Sequence, residues 1–562
     1  MPDPAFPRRM LRPLTSALAL LLLGLAAGCG RPANPPAAAG SATATAAATA
    51  KGGLMIWRVG NGAEPQDLDP QVVTGVPEHK IIMALFEGLL AENPKDLSPE
   101  PGVAERWEVS PDGLVYTFHL RAGAQWSDGV PITATTFVRS YQRMLTPALA
   151  AEYAYMLHHV RNAKAYNEGK VTDFSQVGFK AVDDRTLQVT LNQRTPFLLQ
   201  IIATHYSWYP VPVHVIEKFG GLARKGTAWT RKENFVGNGP FILKDWRPQQ
   251  VLIGARNPRY WDHARVRLDE IHFFAVENQD SEERMFRTGQ LDLTNELPVA
   301  KIDVYRKEFP ESLRIDPYLG LYFYRFNVER PPLNDKRVRR ALALALDRES
   351  LVKNVTRGGQ IPALTVSYPG TAGYTPTAKL TGNLEEARQL LTAAGFPGGQ
   401  GFPKLELLYN TSQNHRLIAE AVQQMWRRQL GIDISLRNEE WKVYLDTTDA
   451  RKFDLQRGGW IADYVDPHSF LEIWTSDNLN NDTGFKNADY DRLFAEALAA
   501  PDDAARYAVY QKMDALLVEE LPVIPIYHYT RVVAMHPRVQ GVYPTLLDNH
   551  PYKYVWLRDA DR

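Results

Sequence analysis

The chain has 562 residues, of which 44% are hydrophobic and 23% charged, with 64 basic and 64 acidic side chains. That length exceeds what one hydrophobic core covers, so two or more lobes are expected. The composition is that of an ordinary globular protein, and the zero net charge offers no footing for a nucleic-acid partner.

The N-terminus has the grammar of an export signal. Arg8, Arg9 and Arg12 precede an apolar run over 14–27, which is short for a spanning helix. The run ends Leu25-Ala26-Ala27-Gly28-Cys29, and small residues before a cysteine resemble the lipobox of bacterial lipoproteins, where a peptidase cuts before the cysteine and its thiol is lipidated. The match departs at the third position before the cysteine, where Ala26 stands instead of Leu. Cys29 is the only cysteine, so it forms no internal disulfide. The alternative is an ordinary cleaved signal with an incidental cysteine. Residues 1–28 are therefore expected to be a lipoprotein signal peptide and Cys29 a lipid anchor. Gly30 rather than Asp follows the cysteine, which favours the periplasmic face of an outer membrane. From 29 to 53 the chain is mostly Ala, Thr, Pro, Gly and Ser, a composition that buries no core and reads as a tether.

Beyond the tether, short strands mix with helices. Thr117-Phe118-His119-Leu120 alternates as a strand does, and Trp126-Ser127-Asp128-Gly129 is a turn. Val236-Gly237-Asn238-Gly239-Pro240 is another turn, leading into a strand at Phe241. Asn383 is placed to cap a helix with Glu386 as its capping-box partner, and Gly395 and Pro397 stop it. Apolar residues recur at helical spacing over 416–430; Gly431 ends that helix and Ile432 to Ile434 begins a strand. Further helices are expected over 493–500 and 504–519. The alternation favours an α/β architecture.

Three segments then carry a resemblance: Ala104-Glu105-Arg106-Trp107, Tyr116 to Arg121, and Trp126 to Ala134. They resemble the signature of peptide/nickel-type extracellular solute-binding proteins (family 5), and the likeness extends over nearly the whole chain beyond the tether. Leu68-Asp69-Pro70, Gly75-Val76-Pro77-Glu78 and Leu85 to Leu89 resemble the family's opening. Pro331 to Asp335, Leu408 to Ser412 and Gly459-Trp460-Ile461-Ala462-Asp463-Tyr464 point to its oligopeptide-binding branch. The resemblance implies a type II periplasmic binding fold of the large peptide-binding class, with two α/β lobes and an extra small domain on the first. Lobe I is expected at 54–86, 212–319 and 549–562, the accessory domain at 87–211 and lobe II at 320–548. It also implies short peptides as ligands and the permease subunits of an ABC importer as partners. A monomer without cofactor or metal is expected.

A free peptide always offers an ammonium, a carboxylate and backbone groups. A buried ammonium needs a buried carboxylate, and Asp463 matches the family's amine-binding aspartate. If 457–463 is extended, residues 457, 459, 461 and 463 share a face. The residue pattern alone also allows Asp463 to cap a turn before Pro467. Peptide backbone is best read by an open strand edge, and the resemblance assigns that to Gly459 and Ile461, with Thr74, Gly75 and Val76 opposite; Gly458-Gly459 is alternatively a bulge. Arg457 and His415 match positions that meet the ligand carboxylate. Asn410, Trp441, Trp460, Tyr153 and Arg325 match pocket-lining positions, though the aromatic ones equally suit a core. Basic residues expected near Thr356 and at Thr448 are absent, with Arg357, Arg451 and Lys452 nearby. Arg325 stands where some relatives carry an acid, so this pocket is expected to disfavour basic ligand side chains.

The rival classes are an enzyme, such as a surface hydrolase, and a periplasmic chaperone or adhesin. The sequence has no Gly-x-Ser-x-Gly elbow, His-Glu-x-x-His motif or P-loop. His158-His159 is a poor metal pair, because adjacent side chains on a helix diverge. Within the family, a murein peptide, a nickel chelate or haem are the alternative ligands.

Overall fold

The computed structural model describes residues 53–558, so the signal-peptide and Cys29 expectations lie outside the described residues. Three larger sheets organise the rest. The first has the spatial order Ile56–Gly60, Glu270–Phe274, Val251–Arg256, Phe241–Arg247. Its Ile56–Gly60 strand runs parallel to Glu270–Phe274, and the other pairings are antiparallel. The second sheet is wholly antiparallel, with the order Ala104–Val109, Val115–Leu120, Thr186–Thr190, Phe179–Asp183. The third has six strands: Ile361–Pro362, Val523–Ala534, Leu313–Phe326, Leu455–Ile461, Leu405–Asn410 and Ile434–Glu439.

The sequence pattern explains these elements. In Val115–Leu120, Tyr116, Phe118 and Leu120 are buried while the residues between them are partly open, the alternation of a strand with one covered face. The covering helix Ala134–Leu145 packs on Phe179–Asp183 and Thr186–Thr190. It is capped by Thr133, whose hydroxyl accepts from the Thr136 amide while the Thr136 hydroxyl accepts from the Thr133 amide. In Leu313–Phe326 the last nine residues are all buried, as a strand between neighbours on both sides and layers on both faces must be. Pro317, which offers the ladder no N–H, sits where its register with Val523–Ala534 breaks.

The helices of the second half start earlier than periodicity placed them. Ser412 accepts the His415 amide at 3.3 Å, so that helix is Gln413–Leu430, ended by Gly431 at a φ of 70°. Asn487 and Asp502 cap Ala488–Leu498 and Asp503–Glu520. Asn383 caps Leu384–Ala393, but Glu386 does not complete a box; its carboxylate pairs with Arg340 at 3.0 Å. No helix among the described residues is long and apolar enough to cross a membrane.

Two long antiparallel strands, Leu313–Phe326 and Val523–Ala534, reach from the third sheet toward the first. The connection is direct: Leu293 bridges Val59 on one side and Met535 on the other. The strand Leu313–Phe326 thus runs through the lobe boundary expected at 319/320.

Candidate functional site

The site grows from the strand Leu455–Ile461. One edge pairs with Leu313–Phe326 along the strand's whole length. On the other edge Leu405–Asn410 partners only Leu455 and Gln456. From 457 to 461 that second edge carries no strand. Burial alternates along it: Gln456, Gly458 and Trp460 are buried, while Arg457, Gly459 and Ile461 are partly open. All three open residues, and Asp463 two positions past the strand, line one cavity. The regular register opposite Gly458 and Gly459 excludes a bulge there. Across the cavity stand Thr74, Gly75 and Val76. Gly75 is the extended residue before helix Val76–Leu85, and a Cβ on it would fall 2.1 Å from the Glu78 carboxylate and 2.9 Å from the Trp441 ring. Only glycine lets the chain come so close there.

This cavity, of about 180 Å³, adjoins a second of about 250 Å³, and the two share Lys80, Tyr318, Trp441 and Arg457 as walls. Tyr153, Arg325 and Trp460 line the first; Asn410 and His415 line the second. Every site residue expected from the sequence therefore borders one cavity or the other.

Asp463 closes the first chamber. Its backbone is held from both sides: its N–H donates to the Ser469 hydroxyl at 2.9 Å, and the Thr204 hydroxyl donates to its carbonyl at 2.8 Å. Its side chain is 9% exposed. One carboxylate oxygen lies 3.4 Å from His205 Nε2; the other has no hydrogen-bond partner among the described residues. His205 Nδ1 accepts the Ser207 amide at 3.2 Å, which places the ring's proton on Nε2, toward Asp463. The His205 ring packs between Tyr153 and Tyr206, at 4.4 and 4.5 Å between centroids. A buried, under-bonded carboxylate in an aromatic box is chemically suited to an ammonium. The turn-capping role that Asp463 could have filled belongs to Asp466, whose carboxylate accepts the His468 amide at 2.9 Å.

Arg457 dominates the second chamber. Its guanidinium donates to Asn410 Oδ1 at 3.3 Å and to the Tyr529 hydroxyl, and lies 4.8 Å from the Tyr322 ring centre. It has no carboxylate partner among the described residues. His415 stands against Tyr322 with a buried, unpartnered Nδ1, and burial together with the nearby Arg457 charge holds its pKa well below the usual imidazole value.

The corner beside Arg325 departs from expectation. Arg325 is not a free cation: it pairs with Asp482 at 2.7 Å and donates to Gln456 at 3.0 Å. Glu152 and Asp449 line the same corner. Burial first, then the neighbouring Asp449 and Asp482, raises Glu152 to about 8; burial and Asp482 raise Asp449 to about 6. With Lys225 also acting on Glu152 and Asp449, and Arg451 on Asp482, the corner is of mixed charge and not dominated by Arg325. The other departures are uncompensated. Thr356 and Thr448 line the cavities, whereas Arg357 pairs with Asp303 and Arg451 with Glu329 at 3.6 Å.

Comparison with known proteins follows the same lines. The family described as bacterial extracellular solute-binding proteins, family 5 middle, matches residues 98–482. The chain belongs to this family of solute-binding proteins. Over 494 residues it is 39% identical to the periplasmic oligopeptide-binding protein OppA of Salmonella typhimurium, covering 86% of this chain and 88% of that protein. The structure of Haemophilus influenzae OppA in complex with RPPGFSPFR superposes with a TM-score of 0.85 at 34% identity, covering 90% of this chain and 99% of the other. The murein tripeptide-binding protein MppA of Escherichia coli likewise gives 0.85 at 34% identity, over 90% and 98% of the two chains, whereas an unliganded open form of MppA gives 0.60, over 90% and 97%. The mixed α/β architecture is therefore the two-domain, type II substrate-binding fold.

Several cavity residues escaped the sequence reading: His205 and Tyr206 beside Asp463, Glu152, Asp449 and Asp482 in the acidic corner, and Lys80 between the chambers. Lys80 donates to Asn295 at 2.8 Å, and burial lowers its pKa to about 7. None belongs to a motif, and they come from distant segments, so only the fold brings them together.

Proposed function

We propose that this chain captures short peptides and hands them to an ABC-type importer, acting as a binding protein and not as an enzyme. The observation that carries the reading is the opposition of charge along one strand edge. Among the described residues a buried carboxylate oxygen of Asp463 lacks a partner at one end and Arg457 lacks a carboxylate counter-ion at the other. The edge 457–461, without a neighbouring strand although the Arg457 carbonyl accepts from the Tyr444 hydroxyl, lies near both. An extended zwitterionic peptide satisfies all three: ammonium on Asp463, main chain on Gly459 and Ile461 with Thr74 to Val76 opposite, carboxylate on Arg457 and His415. Trp441, Trp460, Asn410, Tyr153 and Arg325 then border its side chains.

On this reading the ligand sits enclosed between two lobes. Lobe I comprises 54–86, 212–319 and 549–562 and lobe II comprises 320–548, with 87–211 as the accessory domain. The higher similarity to MppA than to its open form supports the enclosed arrangement. Cys29 anchors the monomer by lipid to the periplasmic side of a membrane. Mass spectrometry of ligands released from protein purified without refolding tests the reading: a mixture of short peptides is expected, and a ligand without a free amine overturns it. A single murein tripeptide, whose free α-amine also fits Asp463, would narrow the substrate to cell-wall fragments.

A further inference from the structure

A second polar cluster lies behind the ligand chamber. His159 follows the segment ending at Leu157 and is tied to the antiparallel sheet's surroundings, its carbonyl accepting the Asn192 amide at 2.9 Å. His468 and Glu472 follow the strand Leu455–Ile461 of the six-stranded sheet. The fold brings these three side chains together from positions some three hundred residues apart. A ligand atom from each lies within 4.8 Å of those of the other two. The residues are 7%, 0% and 3% exposed. Nε2 of His159 and Nε2 of His468 are both buried without a hydrogen-bond partner among the described residues. Two orphaned imidazole nitrogens beside a carboxylate are an unusual thing to bury, because each is stripped of water with no hydrogen bond in return.

The outer contacts orient these groups inward. His468 Nδ1 lies 2.7 Å from the Tyr510 hydroxyl, and that oxygen also accepts from the Arg506 guanidinium at 3.3 Å; with an ion on Nε2 the ring would carry its proton on Nδ1 and donate to the same oxygen. Glu472 Oε1 accepts the Tyr464 hydroxyl at 2.7 Å, and Oε2 lies 3.6 Å from His468 Nε2. The one cation beside the cluster, Arg506, is paired with Asp466 at 2.8 Å.

We propose that His159, His468 and Glu472 form a binding site for a first-row divalent cation. Two imidazoles and a carboxylate suit Zn²⁺, Co²⁺ or Ni²⁺, and bonds of about 2.0–2.1 Å draw the three ligand atoms inward by roughly 1 Å. Such an ion ties the segment after Asp463 to the region of the antiparallel sheet. The pairing is invisible in sequence because the obvious candidate, His158, turns away; its Nε2 lies 3.1 Å from Asn167 Oδ1.

The test uses the full chain carrying Cys29→Ser, so that no thiol competes, stripped with a chelator and titrated calorimetrically with Zn²⁺. One ion per chain is expected. His159→Gln and His468→Gln are each expected to weaken binding by at least about tenfold, with the melting temperature of the metal-free protein unchanged. Absence of stoichiometric binding by the parent chain overturns the proposal, as does an affinity in both variants equal to that of the parent chain. Should a variant fail to fold, Co²⁺ added to the parent chain decides: ligand-field bands of imidazole-bound cobalt support the site, and the spectrum of aqueous cobalt overturns it.

Discussion

The two ends of the cleft are built differently. Around Arg457 the groups that touch its guanidinium come from one sheet: Tyr322 on Leu313–Phe326, Asn410 on Leu405–Asn410, Tyr529 on Val523–Ala534 and Arg457 itself on Leu455–Ile461, while His415 stands on the helix Gln413–Leu430. Adjacent strands hold these groups in register whatever else moves. Around Asp463 the groups come from two places. The carboxylate follows the six-stranded sheet, while Tyr153 lies between two strands of the antiparallel sheet, and Thr204 and His205 lie between that sheet's last strand and Phe241–Arg247. On the proposed reading the carboxylate end, held largely by one sheet, is the more preformed of the two, the ammonium end is complete only when the two parts meet, and a ligand with both charges gains most from that meeting.

The largest expected effect breaks the acidic end. Asp463→Ala is expected to weaken tripeptide binding by about 2–5 kcal/mol, since the ammonium would be buried unpaired. Calorimetry with a free and an N-acetylated tripeptide reads it, the acetylated ligand binding poorly to both proteins; unchanged affinity for the free peptide refutes the assignment. At the preformed end, Arg457→Gln is expected to lose about 1.5–3 kcal/mol, and the loss should vanish for a C-terminally amidated peptide. Equal losses for both ligands would place the carboxylate elsewhere.

The acidic corner gives a smaller, pH-dependent effect. In the free protein Glu152, raised to about 8, and Asp449, raised to about 6, hold protons that a ligand ammonium would expel. A Lys-containing tripeptide should therefore bind more tightly as the pH rises from about 6 to about 8, releasing protons, and should outbind the matched Glu peptide by several-fold. Glu152→Gln should flatten that rise. A falling profile would restore Arg325 as the dominant charge. The smallest effect concerns the open edge: in Gly459→Ala the Cβ would lie 2.8 Å from the Tyr529 hydroxyl and 3.1 Å from the Arg457 guanidinium. Both groups can swing aside, so binding should weaken by only about 1 kcal/mol, with the melting temperature little changed.

Much of this was legible beforehand because it is local. Alternation marked Val115–Leu120, Asn383 and Gly431 marked helix ends, and the segment 457–463 announced one face bearing Arg457, Gly459, Ile461 and Asp463. The misreadings also have local causes. Glu386 looked like a capping-box partner, but Arg340, 46 residues away, claims its carboxylate. Arg325 stood where some relatives carry an acid, and nothing in the sequence signalled that Asp482, 157 positions along the chain, pairs with it.

What the sequence determined by itself is the class of the molecule: an α/β chain of more than one lobe, whose short motifs resemble those of a family of solute-binding proteins. Those follow from periodicity and from residues adjacent in the chain. Tertiary structure alone decided the electrostatics: which oxygen of Asp463 is left without a partner, that burial and Arg457 depress the pKa of His415, that Asp482 pairs with Arg325, and that His159 meets His468 and Glu472. Charges and lone pairs act through space over a few ångströms, and the chain brings residues that close only after it has folded.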